Sequence, residues 1–376
     1  AIFLAEESYD KNPQFSSPFV KQQPHTSKAE LPIQGKGNKL DLYSEPKKKI
    51  KEAVDRKNRG CKRKRESSEP PPIEWPINDL GYEIYDVVGK GGNAIVNLAK
   101  CIKNNKICAI KRVNLQTRGG LNTIINEVRT MSTLLHPYLA SFHTSFIYDT
   151  ELWIVLDYYH FGSLEDIMQR NIRSTVEIFS ERMIASLMND VLRGLIYLHH
   201  YGFIHTDIKP GNILLREDGS AVLADFGSAR NVNDKTPGMV TTPAFRAPEL
   251  VSAAFLTCRA DIWSIGMTAV NLSGEPVYSM MKSPAELLEL YRKFARHSEL
   301  FSWVTSSCLL LNPKERLTAW LQVEHKFFRK PMKKQAIVKI VSRVPQRVNT
   351  WKRQMPPYID NYIARRFGRG KPPSRS

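Results

Sequence analysis

Asp207, Lys209 and Asn212 fall in one short stretch, His205-Thr206-Asp207-Ile208-Lys209-Pro210-Gly211-Asn212, followed by Asp225-Phe226-Gly227 and then Ala247-Pro248-Glu249. These residue types suit transfer of a phosphoryl group to a hydroxyl. An aspartate such as Asp207 can orient that hydroxyl and accept its proton. Asn212 and Asp225 offer the hard oxygens that Mg²⁺ prefers. Lys209, two residues beyond Asp207, would set a cation beside the moving phosphoryl group, where it offsets developing charge. Chance does not assemble the three segments in this order and at this spacing.

Two further elements lie upstream. Gly89-Lys90-Gly91-Gly92-Asn93-Ala94-Ile95-Val96 is a Gly-rich turn between apolar strands, and its small residues let backbone N–H groups approach phosphate oxygens. By itself such a hairpin is more often a plain turn. In Cys108-Ala109-Ile110-Lys111 a lysine ends an apolar strand, where it could reach the α- and β-phosphates of ATP. Lysines at strand ends are ordinarily solvated. What changes that weighting is Glu127 on the next predicted helix, at a separation suited to an ion pair with Lys111.

These groups need a scaffold. From Tyr82 the chain alternates apolar segments with Gly or Lys-Asn-Asn turns, YEIYDVV, AIVNLAKCI and KICAIKRVNL, the pattern of an antiparallel sheet. A helix is predicted from Leu121 to Leu135, with Ile124, Ile125, Val128, Met131 and Leu135 on its packed face and Glu127 on an adjacent one. Strands are predicted over Ser141 to Ile147 and Glu151 to Asp157. Beyond Gly162 the amphipathic runs near Ser163 to Gln169, Glu181 to His200, Asp261 to Leu272 and Ala285 to Arg296 predict helices.

Taken together, these residues resemble the protein-kinase superfamily across roughly Tyr82 to Lys330. The resemblance implies an α+β, two-lobed protein-kinase fold, with a small β-rich N-lobe (about 82–156) and a larger helical C-lobe (about 160–330) inside a domain of residues 76–330. It implies ATP and Mg²⁺ as cofactors, Asp207 and Lys209 as catalytic residues, and Asn212 and Asp225 as metal ligands. The nucleotide site it implies comprises Gly89, Lys90, Gly91, Gly92, Asn93, Ala94, Val96, Ala109, Lys111, Glu127, Leu156 and Asp157. Asp261 resembles the residue that anchors the catalytic-loop backbone, and Arg316 the partner of Glu249. Lys209 and Thr242 are similar to the serine/threonine class. Trp75-Pro76-Ile77-Asn78, Ala94, Lys111 to Leu115, Thr144-Ser145-Phe146 and Glu151-Leu152-Trp153 resemble the sterile-20 group, and within it the branch of SPAK and the oxidative-stress-responsive kinase. No counterpart of that branch's C-terminal docking domain follows Lys330, so its substrates are not carried over.

One position departs from the family. Thr206 stands where relatives carry an arginine that grips a phosphorylated activation-loop residue. The activation segment, Asp225 to Glu249, holds Thr236, Thr241 and Thr242. Its phosphorylation is therefore expected to matter less, unless Arg112 or Arg230 substitutes for the missing arginine. The function implied is transfer of the ATP γ-phosphate to Ser/Thr hydroxyls of protein substrates in signalling, under an upstream kinase or scaffold. The alternative is a pseudokinase scaffold that activates a partner kinase, as in the STRAD branch, to which Val96-Asn97-Leu98-Ala99 and His199-His200-Tyr201-Gly202 bear a likeness. Scaffolds of that kind lose catalytic residues, whereas Lys111, Glu127, Asp207, Asn212 and Asp225 all remain.

Composition bounds the rest. The chain has 376 residues and a net charge of +18, enough for one two-lobed domain with chain left over at both ends. Residues 1–75 have the composition of a disordered extension. The basic clusters Lys47 to Lys51 and Lys62 to Arg65 within it match a bipartite nuclear import signal or a solvated charge run. From 331 to 376 twelve Lys or Arg face Asp360 alone, a basic tail suited to solubility or to nucleic acid and anionic surfaces. Five scattered cysteines argue against a disulfide framework or zinc site, and no apolar run is as long as a transmembrane segment requires. The chain reads as cytoplasmic, with a nuclear alternative, and its start at Ala1 reads as a fragment or processed form.

Overall fold

The computed structural model describes residues 74–90, 94–115, 120–171, 178–234, 241–251, 256–275, 277 and 296–345. The expectations for the N-terminal extension, for Gly91, Gly92, Asn93 and Thr236, for the helix beginning at Ala285 and for the chain beyond 345 lie outside those residues. Strands β1 (Tyr82–Lys90), β2 (Ala94–Cys101), β3 (Ile107–Asn114), β4 (Phe142–Tyr148) and β5 (Glu151–Asp157) form one antiparallel sheet in the order β1-β2-β3-β5-β4. The turn between β2 and β3 places Asn105 at φ +59°, a left-handed conformation that asparagine tolerates.

The two-residue period of a strand decides what each face of the sheet carries. On one face Cys108 and Ile110 pack with Tyr82, Ala99, Cys101, Phe146, Trp153 and Val155, and Trp75 covers them. Lys111 and Val113 fall on the other face, where Val113 and Ile154 pack against Ile124 of α1 (Gly120–Thr133). Lys111 is thus directed at α1 by its register alone.

The face of α1 that packs differs from expectation. Ile124, Glu127, Met131 and Leu134 are buried, while Ile125 is 44% and Leu135 83% exposed. The helix ends at Thr133, short of the predicted Leu135, so the chain turns before Leu135 can reach the packed face and Leu134 takes that place. Glu127 sits on the packed face itself, among Ile124 and Met131 in helical spacing.

The helical part is built around α3 (Glu181–His200) and, after the short α4 (Pro248–Val251), α5 (Arg259–Leu272). One hydrophobic core runs through them, from α2 (Leu164–Asn171) past the hairpin β7 (Ile213–Leu215) and β8 (Ala221–Leu223) to α6 (Glu299–Cys308) and α7 (Ala319–Val323). A small pairing of β6 (Phe203–Ile204) with β9 (Arg230–Asn231) fixes the two ends of the region that holds Asp207 and Asp225. Deep in this core the fully buried Arg316 donates to Glu249 from two nitrogens at 2.6 and 2.8 Å, to Leu310 O at 2.7 Å, and stacks over Trp263 at 5.0 Å. A buried guanidinium needs that many partners to offset its desolvation.

The chain past Lys330 is not simply a solvated tail. It forms α8 (Lys334–Val341), whose Ile337 and Val341, with Val344 beyond, are buried in the main core, while Lys334 pairs with Asp190. Their four- and three-residue spacing is that of a helix face, hidden in the sequence among basic residues. Among the described residues no helix is long and apolar enough to cross a membrane.

Candidate active site

Lys111 Nζ lies 2.5 Å from Glu127 Oε1 and 3.0 Å from Asp225 Oδ1, so one ammonium joins strand β3, helix α1 and the chain after β8. Burial alone would lower the Lys111 pKa, but the two carboxylates outweigh it and hold the amine protonated, with its pKa raised. Burial likewise works against ionising Asp225, and Lys111 overrides it, so its pKa falls below the usual carboxylate value. Asp225 takes a left-handed backbone at φ +65°, a conformation that costs a non-glycine residue on the order of 1 kcal/mol or more. In that conformation its carboxylate meets Lys111, with the side chain still 48% exposed.

The second centre is Asp207. Its Oδ1 accepts from the Thr242 backbone N–H at 2.8 Å, and its Oδ2 lies 2.6 Å from Lys209 Nζ and 3.0 Å from Asn212 Nδ2. Lys209 Nζ also reaches Thr242 Oγ1 at 2.5 Å, and Asn212 Nδ2 the Asp207 carbonyl at 2.8 Å. Burial would raise the Asp207 pKa, but Lys209 and then Thr242 outweigh it, and the carboxyl stays ionised with its pKa lowered.

Asp261, at the start of α5, holds this loop by its backbone: Oδ2 accepts from His205 N at 2.9 Å and Oδ1 from Thr206 N at 2.8 Å. His199 Nε2 lies 2.8 Å from the same Oδ2. His205 is buried with Nε2 3.0 Å from Ala224 O, and since a carbonyl only accepts, that nitrogen carries the proton. Thr206 sits at φ +68°, an outlier for a β-branched residue. The Asp261 bond and a bond from Thr206 Oγ1 to Ser228 O at 2.8 Å hold it there.

Of the remaining predicted residues, Ala109 pairs with Leu156, Cys108 with Asp157, Val96 with Lys111 and Gly89 with Val96 across the sheet, while Lys90 ends β1 exposed and Ala94 begins β2. Thr241 is held by Arg246, whose Nε bonds its hydroxyl and whose Nη2 bonds its carbonyl at 2.8 Å. Glu249 belongs to the Arg316 pair in the core. Arg112 is committed elsewhere, with Nε 2.7 Å and Nη2 3.1 Å from the two Glu151 oxygens, over the Trp153 ring. Arg230 lies 3.4 Å from Asp234.

Sequence reasoning missed three contacts: His199 with Asp261, Arg246 with Thr241, and His143, whose Nε2 lies 2.8 Å from Asp157 Oδ1 while its ring stacks on Trp75 at 4.1 Å. Only Arg246 carried a signal, a basic residue five positions from Thr241 in the same segment. The others join residues brought together by the fold.

The oxygens here suit a hard cation. Asn212 spends its amide N–H₂ on Asp207, which leaves its carbonyl oxygen as the donor for a metal, and Asp225 keeps a half-exposed carboxylate. One carboxylate and one amide oxygen is the short protein set of Mg²⁺ sites, whose other positions go to phosphate and water.

The family model for the protein kinase domain matches residues 82–328. The chain is 35% identical over 273 residues to the serine/threonine-protein kinase ppk11 of Schizosaccharomyces pombe, covering 69% of this chain and 86% of that one. It is 36% identical to the serine/threonine-protein kinase cst-1 of Caenorhabditis elegans, over 67% of this chain and 52% of the relative. To the serine/threonine-protein kinase fray2 of Dictyostelium discoideum it is 31% identical, over 73% of this chain and 28% of the relative. The chain thus spans most of ppk11 but about half or less of the other two.

Proposed function

The chain belongs to the protein kinase family and carries a serine/threonine kinase domain of sterile-20 likeness, and we propose that it transfers the γ-phosphate of ATP to Ser or Thr hydroxyls of protein substrates. What carries this reading is the meeting of Lys111, Glu127 and Asp225 from three distant segments, beside an Asp207 bonded to Lys209 and Asn212. A scaffold without turnover has no use for all of these groups.

In the proposed division of labour, Lys111 holds nucleotide phosphates and is itself held by Glu127. Asp225 and Asn212 would hold Mg²⁺, which when bound would neutralise phosphate charge. Asp207 orients the substrate hydroxyl and accepts its proton, and Lys209 offsets the charge that develops on the phosphoryl oxygens. Thr242, tied to both Asp207 and Lys209, closes the site on the side of the activation segment, an arrangement that favours Ser and Thr acceptors. Ala109, Val96 and Leu156 flank the nucleotide on the sheet. Incubation of the purified chain with Mg²⁺-ATP and a degenerate peptide library containing Ser, Thr or Tyr acceptors tests the reading. Phosphate should appear on Ser and Thr peptides only, and a library left unmodified, or modified on Tyr, would refute it.

The proposed enzyme also works without a phosphorylated activation loop. Thr206 spends its hydroxyl on Ser228 O, and a threonine supplies no bidentate cationic grip. Arg112 and Arg230, the substitutes, are engaged with Glu151 and Asp234. The segment's far end is anchored without phosphate, by Thr242 on Asp207 and by Arg246 on Thr241. After phosphatase treatment, with Thr236, Thr241 and Thr242 shown by mass spectrometry to be unmodified, initial rates should stay within about twofold of the untreated enzyme, because no ordering interaction is lost. A fall of tenfold or more, reversed by phosphorylation of Thr236, would overturn it.

A further inference from the structure

Gly211 sits in the catalytic loop between Lys209 and Asn212, and its missing side chain lets another residue in. A Cβ at Gly211 would stand 2.5 Å from Glu165 Oε2 and 3.8 Å from Lys209 Cε, so the Glu165 carboxylate lies against the loop that carries Asp207 and close to the Lys209 stem. We infer that Glu165 is a specificity-determining residue, recognising a basic side chain of the protein substrate near the phosphoacceptor; the inference rests on the kinase reading above.

Position, charge and availability all point the same way. Glu165 occupies the first turn of α2, which is fixed relative to the loop: Leu215 N donates to Gly162 O at 2.9 Å, Ser163 bridges to Leu214, and the helix packs on the Pro210–Asn212 turn. Its neighbour Asp166 is turned inward, accepting at Oδ2 from Ser163 N and Ser163 Oγ at 3.0 and 2.9 Å. Glu165 is exposed, and Gln169 Nε2, 3.5 Å from its Oε1, is a neutral and distant partner. The cation beside it, Lys209, is already committed to Asp207 and Thr242. A negative charge therefore faces solvent at the lip of the site. A substrate whose hydroxyl reaches Asp207 must lay its neighbouring residues across this lip, since an extended peptide advances only about 3.3–3.6 Å per residue. An arginine there can grip the carboxylate bidentately.

The test uses the full chain, Mg²⁺-ATP and peptides with one Ser acceptor in a neutral Gly/Ala background, with Arg, Ala or Glu placed singly at each position within four residues on either side. The wild type should favour Arg over Ala by about fivefold or more in kcat/KM at one or two positions on one side. In Glu165→Gln that Arg/Ala ratio should fall toward one, and in Glu165→Arg the preference should pass to the Glu peptide at the same positions. An Arg/Ala ratio near one for the wild type at every position would overturn the inference while leaving the kinase reading intact, and so would a full Arg preference in Glu165→Gln. A wild type that phosphorylates no peptide overturns the kinase reading, and this one with it.

Discussion

Asp207→Asn should lower turnover by about a hundredfold or more while ATP binds with near-normal affinity, the range expected for losing a general base or orienting carboxylate. The two halves of this result have different origins. ATP affinity is assigned to Lys111 and to the metal held by Asp225 and Asn212, none of which the substitution removes. Turnover depends on Asp207 as an ionised acceptor, and its two oxygens already receive hydrogen bonds from three donors, Thr242 N, Lys209 Nζ and Asn212 Nδ2. An asparagine amide must turn its N–H₂ toward one side or the other, so it meets either the Thr242 N–H or both Lys209 and Asn212, donor against donor. The loop therefore loses both a proton acceptor and at least one of the bonds that aim it. Equilibrium nucleotide binding and steady-state kinetics on a Ser peptide separate the two effects. Wild-type turnover in Asp207→Asn would remove Asp207 from the reaction, and an equal loss of ATP affinity and turnover would make its role one of folding the site.

Much of this site was legible because its parts are contiguous. Asp207, Lys209 and Asn212 share one loop, and a single short run fixes their mutual placement, so residue types and spacing suffice. The five strands were legible for a similar reason: alternation is a local signal, and β3 carries Lys111 to the correct face by register alone. The packed face of α1 was misread where the pattern offered two leucines in a row. Whether Leu134 or Leu135 is buried depends on where the helix stops, which is set by the turn beyond Thr133 and not by periodicity. The helix past Lys330 was missed because the tail was read by its net charge over residues 331–376, which hides the short apolar run around Ile337 and Val341 that packs into the core. Long-range contacts were legible only where the family resemblance supplied them, as for Arg316 with Glu249 and Asp261 with the catalytic loop; the others left no trace in the sequence. His199 and Asp261 stand 62 positions apart, and the approach of Glu165 to Gly211 needs α2 to be docked on the catalytic loop first.

Lys111→Met should abolish measurable phosphoryl transfer and also change how stability depends on pH. The first effect follows from losing the cation assigned to the phosphates. The second follows from Glu127, only 5% exposed and 2.5 Å from the ammonium. For Glu127 burial is the largest influence and raises its pKa from the ordinary 4.5, Lys111 pulls it down, and Asp225 pushes it up again. Removing the lysine takes away the one lowering influence, so in the folded variant the pKa rises further. At pH below the ordinary glutamate value the carboxyl is protonated in both folded and unfolded chains, and the variant incurs no electrostatic penalty. As pH rises above it, the unfolded chain ionises first, and the folded state is progressively disfavoured until the pH passes the raised folded value. Stability relative to the wild type should therefore fall as pH rises above the ordinary glutamate value, by at most about 3–5 kcal/mol, the range for breaking a buried pair. Protonation of Glu127 and the half-exposed Asp225 keep the loss below that ceiling. Lys111→Met/Glu127→Gln should weaken the pH dependence, because the buried Glu127 no longer titrates and only the half-exposed Asp225 still does, yet leave transfer absent, because the cation is still missing. Urea unfolding of the three proteins at pH values below and above the ordinary glutamate value, with transfer measured on each, checks both halves. A pH-independent deficit in the single variant would show that Glu127 does not depend on Lys111 for its charge, and activity regained in the double variant would show that Lys111 serves only to neutralise Glu127.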